Sequence, residues 1–283
     1  MMHRMRGVSW TLLAVGIAWE LVLGCSEDPE RPAGIDPCAG DAEGCVDPQT
    51  GENGAGGSAG SAGSSSVSAG AGGETVLRGV VMEFTDDQFL YVDQFPGEAE
   101  VFADGPDGET VVGTYDGVNA FTLEGVLATE RGWVGAAPTD SASDLLPTLH
   151  PVDTTSGAAV QLPLARASDV DLILQLGTAP LQRDEGAAQL VLRFVDDAGV
   201  ALSGITVETS DPTQPILFRD GSAWSDTDTE TLADGLALLP NLPAFELPGG
   251  TIPVTFSDGV DAFVLQPRVA QGAVTVMTVL FAP

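Results

Sequence analysis

The side chains that could perform chemistry are few and poorly assembled. Only His3 and His150 carry an imidazole in 283 residues, and there is no lysine, all ten cationic side chains being Arg. A hydrolytic triad needs a nucleophile, an imidazole base and an orienting carboxylate within hydrogen-bond reach. A zinc centre needs several His or Cys ligands. His150-Pro151, with Asp144 and Asp153 around it, supplies neither and reads as part of a loop. Gly56-Gly57-Ser58-Ala59-Gly60 spells the nucleophile elbow of hydrolases. That motif requires a strand-to-helix turn around it, and a Gly/Ala/Ser tract generates such matches by chance. Paired glycosidase carboxylates cannot be singled out among 41 acidic residues. The chain is expected not to be an enzyme.

Two constellations suggest binding instead. Asp226-Thr227-Asp228-Thr229-Glu230, with Asp234 nearby, gathers the hard oxygen ligands that calcium takes. Thr231 stands where an EF-hand would have glycine, and a solvated acidic turn is the competing reading; no other cofactor is implied. Trp224 lies in a polar stretch, residues 219–226, where a large ring would stack on a sugar, insert into a partner or fold back over a sheet edge. Tyr115, beside an Asp-Gly turn, is the second candidate ligand-binding ring. Trp133, in the apolar run Trp133-Val134-Gly135-Ala136, is expected in the core.

Charge and the N-terminus narrow the setting. A net charge of −31 excludes a general nucleic-acid binder, because phosphate recognition needs a basic footprint. His3, Arg4 and Arg6 precede a mostly apolar run from Val8 to Leu23, the layout of an export signal. The run is interrupted by Glu20 and is short for a spanning helix, which wants ~20 apolar residues. It ends in Val22-Leu23-Gly24-Cys25, which resembles the lipobox of bacterial lipoproteins. That resemblance implies removal of residues 1–24 and lipidation of Cys25, with simple secretion or a retained membrane helix as the alternatives. Ser26 stands where an inner-membrane retention signal would place Asp, so the same resemblance implies an outer-membrane or cell-surface destination.

With Cys25 assigned to lipid, Cys38 and Cys45 remain, and an exported chain meets an oxidising compartment, so a small disulfide loop is expected. A metal site would need more Cys or His than the neighbourhood holds. Residues 54–73 are Gly, Ala or Ser except Val67 and cannot build a core. Residues 25–74 therefore read as a disordered tether holding the body ~40 Å from the membrane.

From Val76 onward, short β-prone segments alternate with Asp-Gly, Pro-Gly and other Gly-containing turns, an all-β signature. The segments recur in order. Residues 77–84 match 190–195, Ala99 and Val101 match Ile205 and Val207, and Tyr115-Asp116-Gly117 before Phe121 matches Ala233-Asp234-Gly235 before Leu236. Residues 133–136 then match 252–256, and 159–164 match 274–280. Two tandem transthyretin/Ig-like β-sandwiches are expected, a divergent one at 75–167 and a second at 188–283. Between them, residues 168–187 carry helix signals, with Ser168 as cap, Asp169 in the first turn and Gly177 as stop; one more strand is the competing reading. An apolar side of this segment would dock between the sandwiches.

Val195-Asp196-Asp197-Ala198-Gly199-Val200-Ala201-Leu202-Ser203-Gly204-Ile205-Thr206-Val207, Thr231-Leu232-Ala233-Asp234-Gly235-Leu236-Ala237-Leu238 and Leu239-Pro240-Asn241-Leu242-Pro243 carry a further resemblance. On these pieces the second copy, residues 188–283 and about a third of the chain, resembles the carboxypeptidase regulatory-like domain, a transthyretin-like sandwich of exported bacterial proteins. The resemblance implies a domain that folds, spaces or binds. Together these readings predict a membrane-anchored cell-envelope protein acting as a non-catalytic structural or interaction module, with an unknown envelope protein or glycan as partner. The alternatives are a carbohydrate- or surface-polymer-binding lipoprotein, Ca-assisted or not, and a hydrolase.

Overall fold

The computed structural model describes residues 73–221 and 223–281. The export segment, Cys25, Cys38 and Cys45 and the tether as far as residue 72 lie outside the described residues, and Glu74, read as the end of the tether, instead opens the first strand. The first half runs β1 (Glu74–Phe84), β2 (Val92–Gln94), β3 (Ala99–Asp104), β4 (Thr110–Tyr115), β5 (Phe121–Leu127), β6 (Gly132–Pro138), β7 (Leu145–Leu146), β8 (Thr148–Val152) and β9 (Val160–Arg166). A single helix follows, α1 (Ala167–Gln175). The second half runs β10 (Ala188–Val195), β11 (Thr206–Thr209), β12 (Leu217–Asp220), β13 (Ala223–Ser225), β14 (Leu236–Leu242), β15 (Gly250–Thr251), β16 (Val254–Ser257), β17 (Ala262–Leu265), β18 (Arg268–Val269) and β19 (Val274–Leu280).

The repeat in sequence is a repeat in pairing. In the first half β1 lies antiparallel to β5 and parallel to β9, while β6 pairs antiparallel with β3 and β8. In the second half β10 lies antiparallel to β14 and parallel to β19, while β16 pairs antiparallel with β11 and β17. Each half is thus a β-sandwich with its own apolar filling. Leu77, Val81, Val101, Phe121, Leu123, Val134 and Leu162 fill the first, and Leu192, Phe194, Val207, Leu239, Val254 and Phe256 fill the second. Period-two alternation sends these side chains inward from both sheets. The Asp-Gly turns of the two copies are alike: Gly117 and Gly235 both have positive φ, and a Cβ would run into the carbonyl of Pro96 in one and of Phe194 in the other. Only glycine fits there.

The halves are fused through one sheet. Strand β8 pairs in parallel with β19, which joins one layer of each sandwich into a nine-stranded sheet ordered β13-β12-β14-β10-β19-β8-β6-β3-β4. Thr275 is in register with Leu149, so Met277 and Val279 share a face of this sheet with Leu149. On that face β11, β16 and β17 cover the second half; on the opposite face β1, β5 and β9 cover the first. Arg268 to Asp104 at 2.7 Å and Arg219 to Asp87 at 3.4 Å add ion pairs between the halves.

Helix α1 closes the remaining gap. Val170, Ile173 and Leu174 pack with Val191, Leu217, Leu236, Leu238 and Val274 of the shared sheet and with Phe84 and Phe89 of the first half. This makes β10 buried on both faces and explains its nearly continuous apolar run, Ala188 to Val195. Ser168 does not cap the helix: Arg166 occupies the cap position without a side-chain bond. Asp144 replaces it, accepting hydrogen bonds from the Ser168 backbone N–H and hydroxyl through its carboxylate and from Ala167 N–H through its carbonyl. The connection to β10 is tied down as well. Asn241, at positive φ, accepts from Asp184 N–H and donates to Gln182 O, and Arg183 pairs with Asp171 at 2.9 Å.

Because α1 is held by packing, truncating its buried face should cost far more than truncating its exposed one. Ile173→Ala is expected to lower unfolding free energy by ~3 kcal/mol, and Leu172→Ala, 54% exposed, by less than ~0.5 kcal/mol, read from urea denaturation of the two variants.

Candidate functional site

The structure separates the residues that sequence spacing had grouped. Asp226 accepts from the N–H and hydroxyl of Thr178, fastening the chain just after α1, and these bonds hold its carboxyl below the ordinary carboxylate range. Asp234 pairs at 2.6 Å with Arg219, which is buried between Asp234 and Asp87. Asp228, half-buried, and Glu230, exposed, lie between β13 and β14. Among the described residues no group of three or more His, Cys, Asp or Glu side chains is placed to hold a metal ion, so Asp226, Asp228, Glu230 and Asp234 do not assemble into a calcium loop.

The ligand-binding reading of Trp224 and Tyr115 needs correcting, whereas the ring of Trp224 does fold back over the sheet edge. Trp224 is 3% exposed and packs with the α1 cluster, and Tyr115 is 1% exposed, donating its hydroxyl to Phe95 O and accepting from Gln94 Nε2. Neither offers a face to a ligand. Trp133, expected in the core, is instead half-buried, because its side chain leaves β6 on the face opposite Val134 and the first sandwich's filling.

His150 is a strand residue of β8 and not part of a loop. It is buried, and its Nε2–H donates to Pro163 O at 2.9 Å; a carbonyl only accepts, so this contact fixes the tautomer. Burial pushes its pKa down to about 4 despite that bond, and the ring is neutral and structural at neutral pH.

A cleft of about 390 Å³ lies at the seam between the halves. Arg131, Trp133 and Pro151 line one side; Val264 to Gln266 and Met277 to Leu280 line the other. Its origin lies in the backbone. Strand β19 stays paired with β10 through Leu280, but its pairing with β8 covers only Val274 with Thr148 and Thr275 with Leu149. Val274 N–H donates to Pro147 O at 2.9 Å, so the main-chain groups of Val276, Thr278 and Leu280 aim to that same side by alternation. The next donor due from β8 is residue 151, a proline, which has no N–H. The ladder stops there and the strands part. Because Pro151 turns its nitrogen toward β19, the β6 ladder continues past it, with Trp133 opposite Pro151.

Sequence reasoning missed Arg131, Pro151 and residues 277–280 as a set, although proline inside a strand is the mark of an edge.

No family model matches the chain, and no curated protein matches it. Among solved structures, the major pilin of Streptococcus pyogenes aligns at 13% identity and a TM-score of 0.19 over 74% of this chain and 99% of the pilin. A point variant of that pilin aligns at 12% identity and the same TM-score, over 74% of this chain and all of the other. At that score neither fold nor function transfers.

Two outcomes follow from the buried groups. Since the folded pKa of His150 lies below its unfolded value near 6.5, the unfolded chain binds the extra proton between pH 6.5 and 4. Its contribution is therefore present above pH 6.5 and lost as pH falls through that window, by ~3 kcal/mol. Urea midpoints measured across the window should fall, and His150→Gln should flatten the slope. Asp234→Asn leaves the buried Arg219 with Asp87 alone and should cost ~3 kcal/mol, with millimolar calcium shifting the Tm of neither this variant nor the wild type.

Proposed function

We propose that this protein is a lipid-anchored cell-envelope protein whose two fused β-sandwiches, the second of the carboxypeptidase regulatory-like kind, act as a non-catalytic interaction module. The observation that carries the reading is the cleft at the seam. It is lined mainly by apolar side chains and open strand edge, with Arg131 its one ionisable lining residue, and the mature chain's lone imidazole, His150, is locked on Pro163 O within the first sandwich. A surface of that make-up suits recognition, not bond-making. The envelope setting rests on Val22-Leu23-Gly24-Cys25 and on the low-complexity tract at 54–73, which would hold the module away from the lipid. Each buried methylene of an acyl chain contributes ~0.8 kcal/mol, so two or three chains anchor firmly, which a chain of net charge −31 would not do by peripheral contact with an anionic surface.

Fractionation tests the proposal. Wild-type protein should sediment with membranes, partition into detergent and begin at an acylated Cys25, whereas Cys25→Ser should lose the acyl mass and its lipid anchor. A wild-type mature N-terminus at another residue, or a serine variant with unchanged detergent partitioning, would overturn the anchor and with it the envelope assignment.

A further inference from the structure

We propose that the cleft at the seam receives an extended, basic polypeptide segment, which adds as a strand to the open edge of β19 beside Pro151. The inference rests on the interaction-module reading and names the class of partner.

Three observations converge on a main chain as the occupant. The first is the vacant ladder. Past Thr275 the cleft side of β19 has no strand partner among the described residues, while its other side stays paired with β10 to Leu280. The edge is therefore held straight and presents Val276 C=O, Thr278 N–H and C=O and Leu280 N–H at the spacing of a β-strand. Only another extended backbone satisfies such a row repeatedly. Edges of this kind are usually blunted by charge or proline. Here the proline lies on the facing strand, where it prevents β8 from closing the gap, and β19 itself carries Met277, Thr278, Val279 and Leu280 with no charge.

The second observation is the lining. Trp133 and Pro151 on one side and Met277, Val264 and Leu265 on the other make apolar walls about a polar strip of backbone. Strand addition uses this division: main-chain bonds give affinity and alternate side chains enter apolar pockets. A sugar would instead need several convergent side-chain donors and acceptors; the lining offers only Arg131, Gln266, Thr278 and the indole N–H of Trp133, with no carboxylate to accept from its hydroxyls.

The third is charge. The chain's net −31 attracts cationic segments and repels acidic ones, raising encounter rates, whereas the lining itself holds no Asp or Glu and one cation, Arg131, which keeps the segment's own cations out of the cleft. Apolar residues facing the walls would thus alternate with Arg or Lys facing solvent.

The test uses full-length protein in detergent and a fluorescein-labelled ten-residue peptide of alternating Val and Arg, followed by fluorescence anisotropy. The comparison peptide has the same sequence with alternate amides N-methylated, which keeps charge and side chains but removes the donors on one edge. N-methylation on the edge that faces β19 should weaken binding at least tenfold, and methylation on the other edge should change it less than threefold. Trp133→Ala should weaken the unmodified peptide about tenfold while leaving the Tm within a few degrees of the wild type. Equal binding of all three peptides would mean charge alone and would overturn the proposal. So would no binding of the unmodified peptide, or saturable binding of a glucan or chitin oligosaccharide that Trp133→Ala abolishes. None of these results touches the fractionation of Cys25→Ser, so the peptide can fail while the envelope reading stands.

Discussion

Two residue pairs hold this architecture together. Val274 against Thr148 and Thr275 against Leu149 join the last strand of the second sandwich to an edge strand of the first, and everything distinctive about the body follows from that short parallel seam. It places one layer of each sandwich in a common nine-stranded sheet. It also decides which faces remain to be covered. The second sandwich's part of the shared sheet is filled on one side by its own small sheet, so the other side must find another cover, and α1 with Phe84 and Phe89 supplies it. A shared apolar cluster between two individually filled sandwiches couples them energetically, because the surface it buries belongs to neither alone.

The same seam explains why there is a cleft. Parallel strands need a donor from each partner at every second residue, and β8 runs out of donors at Pro151. Had residue 151 carried an N–H, Val276 C=O would be its natural acceptor and the ladder would extend. Proline fixes the length of the seam, and the open edge of β19 is the counterpart of that restriction. The polar supports around the seam are likewise shared: Arg268 reaches Asp104, and the buried Arg219 takes one carboxylate from each half. A buried guanidinium held by two carboxylates is a registration device as much as a source of stability.

Much of this was legible in the sequence, and the limits have physical causes. The repeat was visible because half-buried strands alternate with period two and because Gly117 and Gly235 sit where no side chain fits. The helix was legible from its acidic first turn at Asp169 and the glycine after its end, although its true cap was not: Asp144 lies 24 residues before Ser168, and such a bond leaves no local trace. Pairing of β8 with β19 joins residues more than a hundred positions apart, beyond any pattern of spacing. The two tryptophans were ambiguous for the same reason, Trp224 folding back over the sheet edge and Trp133 leaving the core. A polar neighbourhood in sequence says nothing about α1 covering Trp224, and an apolar run cannot say which face of β6 meets a second sheet. Asp226 and Asp234 looked like ligands because their partners, Thr178 and Arg219, come from elsewhere in the chain.

The central claim is that the two sandwiches are one cooperative body. Differential scanning calorimetry of the purified full-length protein tests it most directly. Fusion through a common sheet and the α1 cluster predicts a single endotherm whose van't Hoff enthalpy equals the calorimetric enthalpy. Two separable transitions, or a van't Hoff enthalpy near half the calorimetric value, would show that the halves unfold independently and would contradict the account.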